Sequence, residues 1–241
     1  MPIILLLQLS NQTGLLSLGD LLLQAATVLH EGVVQVVGSS SAFAAIKSDG
    51  SGIIWGDAAK GGDSSRVEHR LQEGVVQVVG SSSAFAAIKS DGSVFSLVST
   101  ACGGDISCFE HQLQEGVVQV VSNYLAFAAV KSDGSVITWG DAAKGGDSSR
   151  VEHRLQEGVV QVVGSSSAFA AIKSDGSIII WGDAAHGGDI SRVEHRLQEG
   201  VVQVVGSSSA FAAIKSDGSV ITWGAPANGG DISRVEHRLR E

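Results

Sequence analysis

The histidines are the side chains of this sequence with the widest range of chemistry, because imidazole can bind zinc or titrate near neutral pH. Five of them recur at intervals of 42 residues, at His69, His111, His153, His195 and His237. A metal site needs two or more to converge with carboxylates, and each of these lies in a charged Glu-His-Arg or Glu-His-Gln triplet. The pattern favours an exposed helix face, with a ligand or pH role as the alternative.

Pairs of aspartates flank a Gly-rich turn, as at Asp57 and Asp63 and at Asp141 and Asp147. Two nearby carboxylates can bind calcium or act as an acid and a base. However, Asp beside Gly is also ordinary turn and helix-cap chemistry, and the calcium-binding nonapeptide pattern is absent. We interpret these aspartates as structural, and we predict no catalytic residue, no metal site and no cofactor.

Serines, tryptophans and cysteines offer three further candidates. The Ser-rich segment Gly38–Ser41 lacks the Gly-Lys-Ser/Thr that follows in nucleotide-binding loops, so it predicts a hairpin connection. The four tryptophans can form a ligand wall, but they favour strand ends that fill gaps between sheets. Cys102 and Cys108 lack the spacing of zinc or redox sites, which indicates two incidental thiols.

The elements that position these residues are copies of one unit. The segment Glu-Gly-Val-Val-Gln-Val-Val begins every 42 residues, at Glu31, Glu73, Glu115, Glu157 and Glu199. Such a period indicates a repeat architecture. We predict a degenerate partial repeat or N-terminal cap at residues 1–30 and one domain of five tandem 42-residue repeats at residues 31–241. Near-identical copies leave little asymmetry from which to build a catalytic site.

Each unit predicts a three-stranded meander followed by a short helix. In the repeat from Glu115 to Gln156, short apolar runs rich in β-branched residues predict three strands, and Asp133-Gly134 predicts a hairpin turn. Val151 and Leu155 form an i, i+4 apolar stripe, which is typical of a surface helix of about two turns. We expect these helices to begin near Ser64, Ser148, Ser191 and Ser233.

The strands are apolar on both faces, so each sheet is expected to be covered on both sides. Stacked sheets of this kind occur in β-propellers and in solenoids. The predicted fold class is mainly β, a β-propeller with an open β-solenoid as the alternative. Exposed Val-Val-Gln-Val-Val strands pair edge to edge. The array is therefore expected to close into a ring, to be capped by Ile3–Leu7, or to self-associate.

A longer pattern recurs at the turn and core positions, most clearly from Val159 to Gly182 as VVQVVGSSSAFAAIKSDGSIIIWG. An Asp-Gly turn and a closing Trp-Gly appear in four copies, and this structural signature comprises Asp49, Gly50, Trp55, Gly56, Asp133, Gly134, Trp139, Gly140, Asp175, Gly176, Trp181, Gly182, Asp217, Gly218, Trp223 and Gly224. The pattern resembles the regulator-of-chromosome-condensation repeat, which builds β-propellers. The resemblance extends from Glu31 to Glu241.

The resemblance implies a non-catalytic protein-interaction scaffold. Related propellers also belong to nucleotide-exchange factors of small GTPases and to HECT-type ubiquitin ligases. The alternative is therefore a fragment of such a protein whose active part lies elsewhere, because no exchange hairpin and no HECT segment fit in this chain. A duplicated reading frame without selected function is a third hypothesis, which the near-identity of the copies keeps open.

Charge and hydropathy limit the partners. The formal net charge is −9 and no cluster of Lys or Arg opposes it, so the sequence predicts no binding of nucleic acid or anionic membrane. Protein partners, and self-association through exposed strand edges, are the remaining expectations. We find neither a signal peptide in Met1–Leu9 nor a spanning segment in Leu15–Leu29, so we expect an intracellular, cytoplasmic protein.

The repeat from Glu73 to Gln114 departs from the others. It has Leu97 in place of Trp and Val98 in place of Gly, and the next repeat has Ser122–Leu125 in place of Gly-Ser-Ser-Ser. This patch is the main asymmetry of the array. It is compatible with sequence drift, which we favour, and with a surface that faces a partner.

Overall fold

The computed structural model describes residues 32–98 and 109–233. These residues form five separate three-stranded antiparallel sheets, one for each repeat, and strands that follow each other in the chain are neighbours in the sheet. We call the sheets blades 1 to 5. The predicted meander and the mainly β fold class are thereby confirmed.

The strands have nearly the same lengths in every blade. Blade 1 contains β1 (Val33–Gly38), β2 (Ala42–Lys47) and β3 (Gly52–Gly56); blade 2 contains β4 (Val75–Gly80), β5 (Ala84–Lys89) and β6 (Val94–Val98); blade 3 contains β7 (Val117–Ser122), β8 (Ala126–Lys131) and β9 (Val136–Gly140); blade 4 contains β10 (Val159–Gly164), β11 (Ala168–Lys173) and β12 (Ile178–Gly182); blade 5 contains β13 (Val201–Gly206), β14 (Ala210–Lys215) and β15 (Val220–Gly224).

The blades converge on the side of their first strands. β1 contacts β4, β4 contacts β7, β7 contacts β10 and β10 contacts β13. The third strands of blades 4 and 5 contact instead a short 3₁₀ helix of the preceding repeat. Successive blades are therefore arranged like a fan, with the first strands on its inner side.

The core lies between blades, and each blade contributes a different face to each neighbour because side chains alternate along a strand. The forward face points to the next blade; in blade 4 it carries Ala168, Ala170 and Ile172. The rear face points to the preceding blade; in blade 4 it carries Phe169, Ala171 and Trp181. Small alanines on one face thus receive the large rings of the other.

The predicted surface helix is shorter than expected. The segment after Asp63 makes a turn, in which Val67 N donates to the Ser64 carbonyl at 2.9 Å, and then a single 3₁₀ helix from Glu68 to Leu71. Only Leu71 of this helix is buried, between blades 1 and 2. Val67 of the preceding turn is partly buried against the same core, and so short a segment gains little from a regular α-helix. The expectation of two α-helical turns was wrong.

Two groups of 3₁₀ helices therefore follow the strands. One group follows the closing Trp-Gly and was not expected from the sequence; the other replaces the predicted helix. Their bounds are Ala58–Lys60, Glu68–Leu71, Glu110–Leu113, Ala142–Lys144, Glu152–Arg154, Ala184–His186, Glu194–Arg196 and Pro226–Asn228.

Several sequence-based predictions concern residues outside the described ranges. They are the N-terminal partial repeat at residues 1–30 with its cap Ile3–Leu7, the thiols of Cys102 and Cys108, and His237. Within the described ranges, no helix is long and apolar enough to cross a membrane.

Candidate interaction surfaces

The Asp-Gly turns of the signature are structural elements that join strands and blades. In blade 3, Asp133 Oδ1 accepts hydrogen bonds from Ser135 N at 2.9 Å and from Ser135 Oγ at 2.7 Å. These bonds hold the pKa of Asp133 below its ordinary value. Gly134 adopts a positive φ of 79°, and its carbonyl accepts from Val159 N of blade 4 at 3.0 Å. The turn therefore fixes the next blade as well as its own hairpin.

The tryptophans of blades 3, 4 and 5 fill the space between sheets, as the sequence predicts. Trp139, Trp181 and Trp223 are 0%, 4% and 3% exposed. Each stacks on the phenylalanine opposite it in the neighbouring strand of its own blade, with ring centroids 5.3–5.5 Å apart. The indole N–H of Trp181 donates to the Gly145 carbonyl of the preceding repeat at 3.0 Å, and Trp223 makes the same bond to Gly187. These three rings are core residues.

The histidines and aspartates do not converge. His69, His111, His153 and His195 are exposed on their 3₁₀ helices, so the predicted exposed face is confirmed for these four. Asp141 Oδ1 caps the helix that follows it by accepting from Ala143 N, and Asp147 Oδ1 accepts from Ser149 N. Among the described residues, no three His, Cys, Asp or Glu side chains are grouped as metal ligands.

The Ser-rich segments connect the first and second strands, as predicted, and they also link the blades. Ser40 N donates to the Ser82 carbonyl at 3.1 Å, and the same bond runs from Ser82 to Tyr124, from Tyr124 to Ser166 and from Ser166 to Ser208 at 3.0–3.1 Å. In blade 3, Asn123 replaces a serine, and its Oδ1 accepts from Ala126 N at 2.8 Å. We call the series of backbone bonds between successive loops, from Ser40 to Ser208, the loop ladder.

One charged cluster between repeats was missed at the sequence level. Lys144 Nζ lies 3.4 Å and His186 Nδ1 lies 3.0 Å from Asp183 Oδ2. The pKa of Asp183 is held below its ordinary value mainly by the hydrogen bond that its carboxylate accepts from the Ala185 N–H. The bonds from Lys144 and His186 lower this pKa to a smaller extent. All three side chains are partly exposed, so the cluster contributes little to stability. Lys144 lies 39 residues before Asp183 in the sequence, so no local motif joins it to Asp183 and His186.

The first surface with the character of a binding site is a row of valines along the inner side of the fan. Each first strand has a bulge at its second residue, which interrupts the register with the second strand. The bulged residue is an exposed valine in every blade, and the valine row consists of Val34, Val76, Val118, Val160 and Val202, which are 57–66% exposed. Because neighbouring first strands are in contact, these exposed valines recur at the same position of successive strands on the inner side of the fan.

The second uncovered surface is the rear face of blade 1. Trp55 is 46% exposed and Phe43 is 48% exposed, although their rings stack as in the other blades, with centroids 5.6 Å apart. Val36 and Ile53 on the same face are also exposed. The prediction that every blade face is covered was therefore wrong for this face, because no described element precedes it.

The forward face of blade 5 is the third uncovered surface. Val205 is 54% and Ile214 is 37% exposed, whereas Val163 and Ile172 at the same positions of blade 4 pack against blade 5. Blades 2, 3 and 4 have both faces covered, as Val120 and Ala128 in blade 3 show. Within the described residues, the array is thus an open fan with one apolar face at each end.

These features define a propeller-type repeat array of three-stranded blades. The sequence matches no protein-family model and no curated protein. The fold, however, matches the structure of yeast RCC1 (Prp20) bound to Kap60, with a TM-score of 0.52 and 14% identity over 80% of this chain and 56% of that chain. The resemblance to regulator-of-chromosome-condensation repeats is thereby confirmed at the level of the fold.

Other solved structures are similar. Prp20p from Saccharomyces cerevisiae matches at 15% identity over 80% of this chain and 57% of that chain, with a TM-score of 0.49. Human WBSCR16 matches at 18% identity over 80% of this chain and 61% of that chain, with a TM-score of 0.48. The chain thus spans 56–61% of the length of these three structures.

Proposed function

We propose that this protein is a non-catalytic protein-interaction scaffold and that the valine row is its binding surface. The observation that carries the proposal is the exposure of a valine at the same bulged position of all five first strands. Single exposed apolar residues are ordinary on a protein surface, but a contiguous apolar row marks an interaction site. The bulge supports this reading, since bulges re-aim side chains next to functional sites.

The surrounding geometry makes the row a rigid platform. The first strands are held to one another by the blade cores and by bonds such as that from Val78 N to Gln35 Oε1, which is 3.4 Å long. A rigid row with regularly spaced apolar side chains suits a protein segment with apolar side chains at a matching spacing. The net charge of −9 favours a partner segment that carries positive charge.

A pair of triple variants tests this proposal. Val76→Asp, Val118→Asp and Val160→Asp together place three charges on the row, and His111→Asp, His153→Asp and His195→Asp place three in the same repeats but away from it. All six positions are exposed, so both variants should keep the β content and the melting behaviour of the natural protein.

The readout is quantitative affinity capture from cell extract with each protein as bait. We expect proteins that bind the natural chain to be retained by the histidine variant and lost from the valine variant. Equal capture by both variants, or no specific capture by the natural chain, would contradict the proposal.

The alternative function is a fragment of a HECT-type ubiquitin ligase or of a GTPase exchange factor. The observation that favours it is the span of the chain, which covers only 56% of the yeast RCC1 chain. Sequencing of full-length transcripts distinguishes the two functions, because the alternative requires a longer reading frame that contains a catalytic segment.

A further inference from the structure

The two end faces of the fan are the halves of an interface that already occurs four times inside the molecule. The rear face of blade 1 presents Val36, Phe43, Ile53 and Trp55 to solvent. The same positions of blade 5 hold Val204, Phe211, Ile221 and Trp223, which are the same residue types and are buried against blade 4. The rear face of blade 1 therefore has the same composition as a rear face that packs against a neighbouring blade.

The forward face of blade 5 has an equally close internal counterpart. It carries Ala210, Ala212, Ile214, Val220 and Thr222, and blade 3 carries Ala126, Ala128, Val130, Val136 and Thr138 at the same positions. Apart from Val130, the residue types are identical. In blade 3 this face packs against Phe169 and Trp181 of blade 4. The forward face of blade 5 is thus built to receive a stacked Phe–Trp pair, and the rear face of blade 1 presents one.

The hydrogen bonds at the two ends are complementary as well. In the loop ladder, each loop donates its N–H to the carbonyl of the next loop. Within residues 32–98 and 109–233, the ladder begins with Ser40 as a donor and ends with Ser208 as an acceptor. The Ser208 N–H and the Ser40 carbonyl therefore remain for one more bond of the same kind between a last blade and a first blade.

We propose that a second copy of this chain occupies these faces, so that the forward face of blade 5 in one molecule packs against the rear face of blade 1 in the next. The contact continues an interface that the molecule already makes between its own blades. It is heterologous, because two different patches meet, and such contacts build rings or open filaments according to the rotation between copies. The end faces are separate from the valine row, so this inference goes beyond the proposed function and does not depend on it.

Two blocked variants test the proposal in the full-length chain. The head-blocked variant carries Phe43→Arg and Trp55→Arg on the rear face of blade 1. The tail-blocked variant carries Val205→Arg and Ile214→Arg on the forward face of blade 5. All four side chains are exposed in the isolated molecule, so both variants should fold, which circular dichroism and thermal melting verify. The control variant carries His153→Arg and His195→Arg, which are exposed on 3₁₀ helices outside both end faces and outside the valine row.

Light scattering coupled to size-exclusion chromatography, over a range of concentrations, gives the masses. We expect the natural chain and the control to form assemblies whose mass rises with concentration, and each blocked variant alone to remain at 24.7 kDa. An equimolar mixture of the two blocked variants should form a heterodimer of twice that mass and nothing larger. In that dimer, the unmodified forward face of blade 5 in the head-blocked chain packs against the unmodified rear face of blade 1 in the tail-blocked chain.

Several outcomes would overturn the proposal. If the blocked variants fail to combine in the mixture, the two faces do not pair. If either variant assembles alone, the contact runs through strand edges or through like faces. If the natural chain is monomeric and a variant without residues 1–30 assembles, the N-terminal segment covers the Trp55 face in place of a second copy. A monomer in both forms would mean that neither copy nor segment is needed there.

Discussion

At the scale of the residue, identical side chains in this array have different environments. Trp55 and Trp139 close the third strands of their blades in the same way, and both stack on a phenylalanine. Trp139 is fully buried against blade 2, whereas Trp55 faces outward from blade 1. The energetic role of a repeated residue therefore depends on its blade.

The first prediction compares these two residues. Trp139→Ala should lower the free energy of unfolding by about 3–5 kcal/mol, because it opens a cavity in a core that cannot collapse to fill it. Trp55→Ala should cost about 1 kcal/mol or less, since nearly half of the side chain is already exposed. Urea denaturation at low protein concentration measures both. His153→Ala is the surface control and should stay within about 0.5 kcal/mol. Equal losses for the two tryptophans would contradict the open end of the fan.

The second prediction concerns the stability of the fold at low pH. The carboxylates of the Asp-Gly turns accept hydrogen bonds from a serine side chain and backbone two residues later, which lowers their pKa. A carboxyl group whose pKa is lowered in the folded state stabilises the fold above its unfolded pKa of about 3.9. That stabilisation is lost as the pH falls through the lowered folded pKa. The array should therefore be less stable at pH 3 than at pH 7.

The test uses one substitution in each of the five turns. The first variant carries Asp→Asn at positions 49, 91, 133, 175 and 217, and it should lose much of the difference in stability between pH 7 and pH 3. The second carries Ser→Ala at positions 51, 93, 135, 177 and 219, and it should lose a smaller part, because the backbone bonds remain. Urea melts at the two pH values measure the difference. An unchanged difference in the Asp→Asn variant would show that the turns do not cause the acid sensitivity.

At the scale of the element, the hairpin turn between the second and third strands has two functions. Gly134 and Gly218 occupy the same position of this turn, with φ of 79° and 81°. A Cβ on Gly134 would lie 2.6 Å from Gly158 N at the start of the next blade, whereas a Cβ on Gly218 would meet nothing within 4 Å. The first glycine permits both the turn and the approach of the next blade, and the second permits the turn alone.

The third prediction separates these two requirements. Gly218→Ala should cost about 1–2 kcal/mol, the strain of a positive φ in an L-residue. Gly134→Ala should cost about 1–3 kcal/mol more, because the methyl group also displaces the backbone of blade 4. Chemical denaturation of the two variants measures the difference. Similar costs would mean that the blades can separate at the turn without penalty.

At the scale of the whole molecule, the net charge and the two apolar ends are the features that bear on the partners we propose. The formal charge of −9 repels the phosphate backbone of nucleic acids. The apolar ends and the valine row offer instead three surfaces that suit proteins. The valine row and the two end faces consist of different residues.

The fourth prediction follows from the charge. We expect no measurable shift of double-stranded DNA in a gel assay at about 150 mM salt, because non-specific binding depends on neutralising phosphates with Lys and Arg. A variant with Glu→Lys at positions 73, 115, 157 and 199 serves as a positive control, since it places four cations at equivalent positions of four repeats. Binding of DNA by the natural chain that resists salt would contradict the protein-scaffold proposal and favour a role in chromatin.

The sequence by itself determined the architecture of the repeat. The 42-residue period, the Asp-Gly turns and the two-sided apolar strands predicted the three-stranded blades and the buried rings of Trp139, Trp181 and Trp223. These features depend on neighbours in the chain or on an identical copy of the same unit. Local propensity and the repeat therefore contained the necessary information.

Only the tertiary structure decided which copies of a residue are exposed. Sequence identity between repeats cannot distinguish the first blade from an inner one, because exposure depends on whether another blade lies beyond it. The valine row was not predicted, for a related reason. The run Val-Val-Gln-Val-Val by itself predicts a strand that is buried on both faces. The bulge that turns Val118 outward arises only from the pairing of β7 with β8. The predicted two-turn helix is instead a turn followed by a short 3₁₀ helix, in which the leucine is buried between blades and the valine four residues before it is partly buried against the same core.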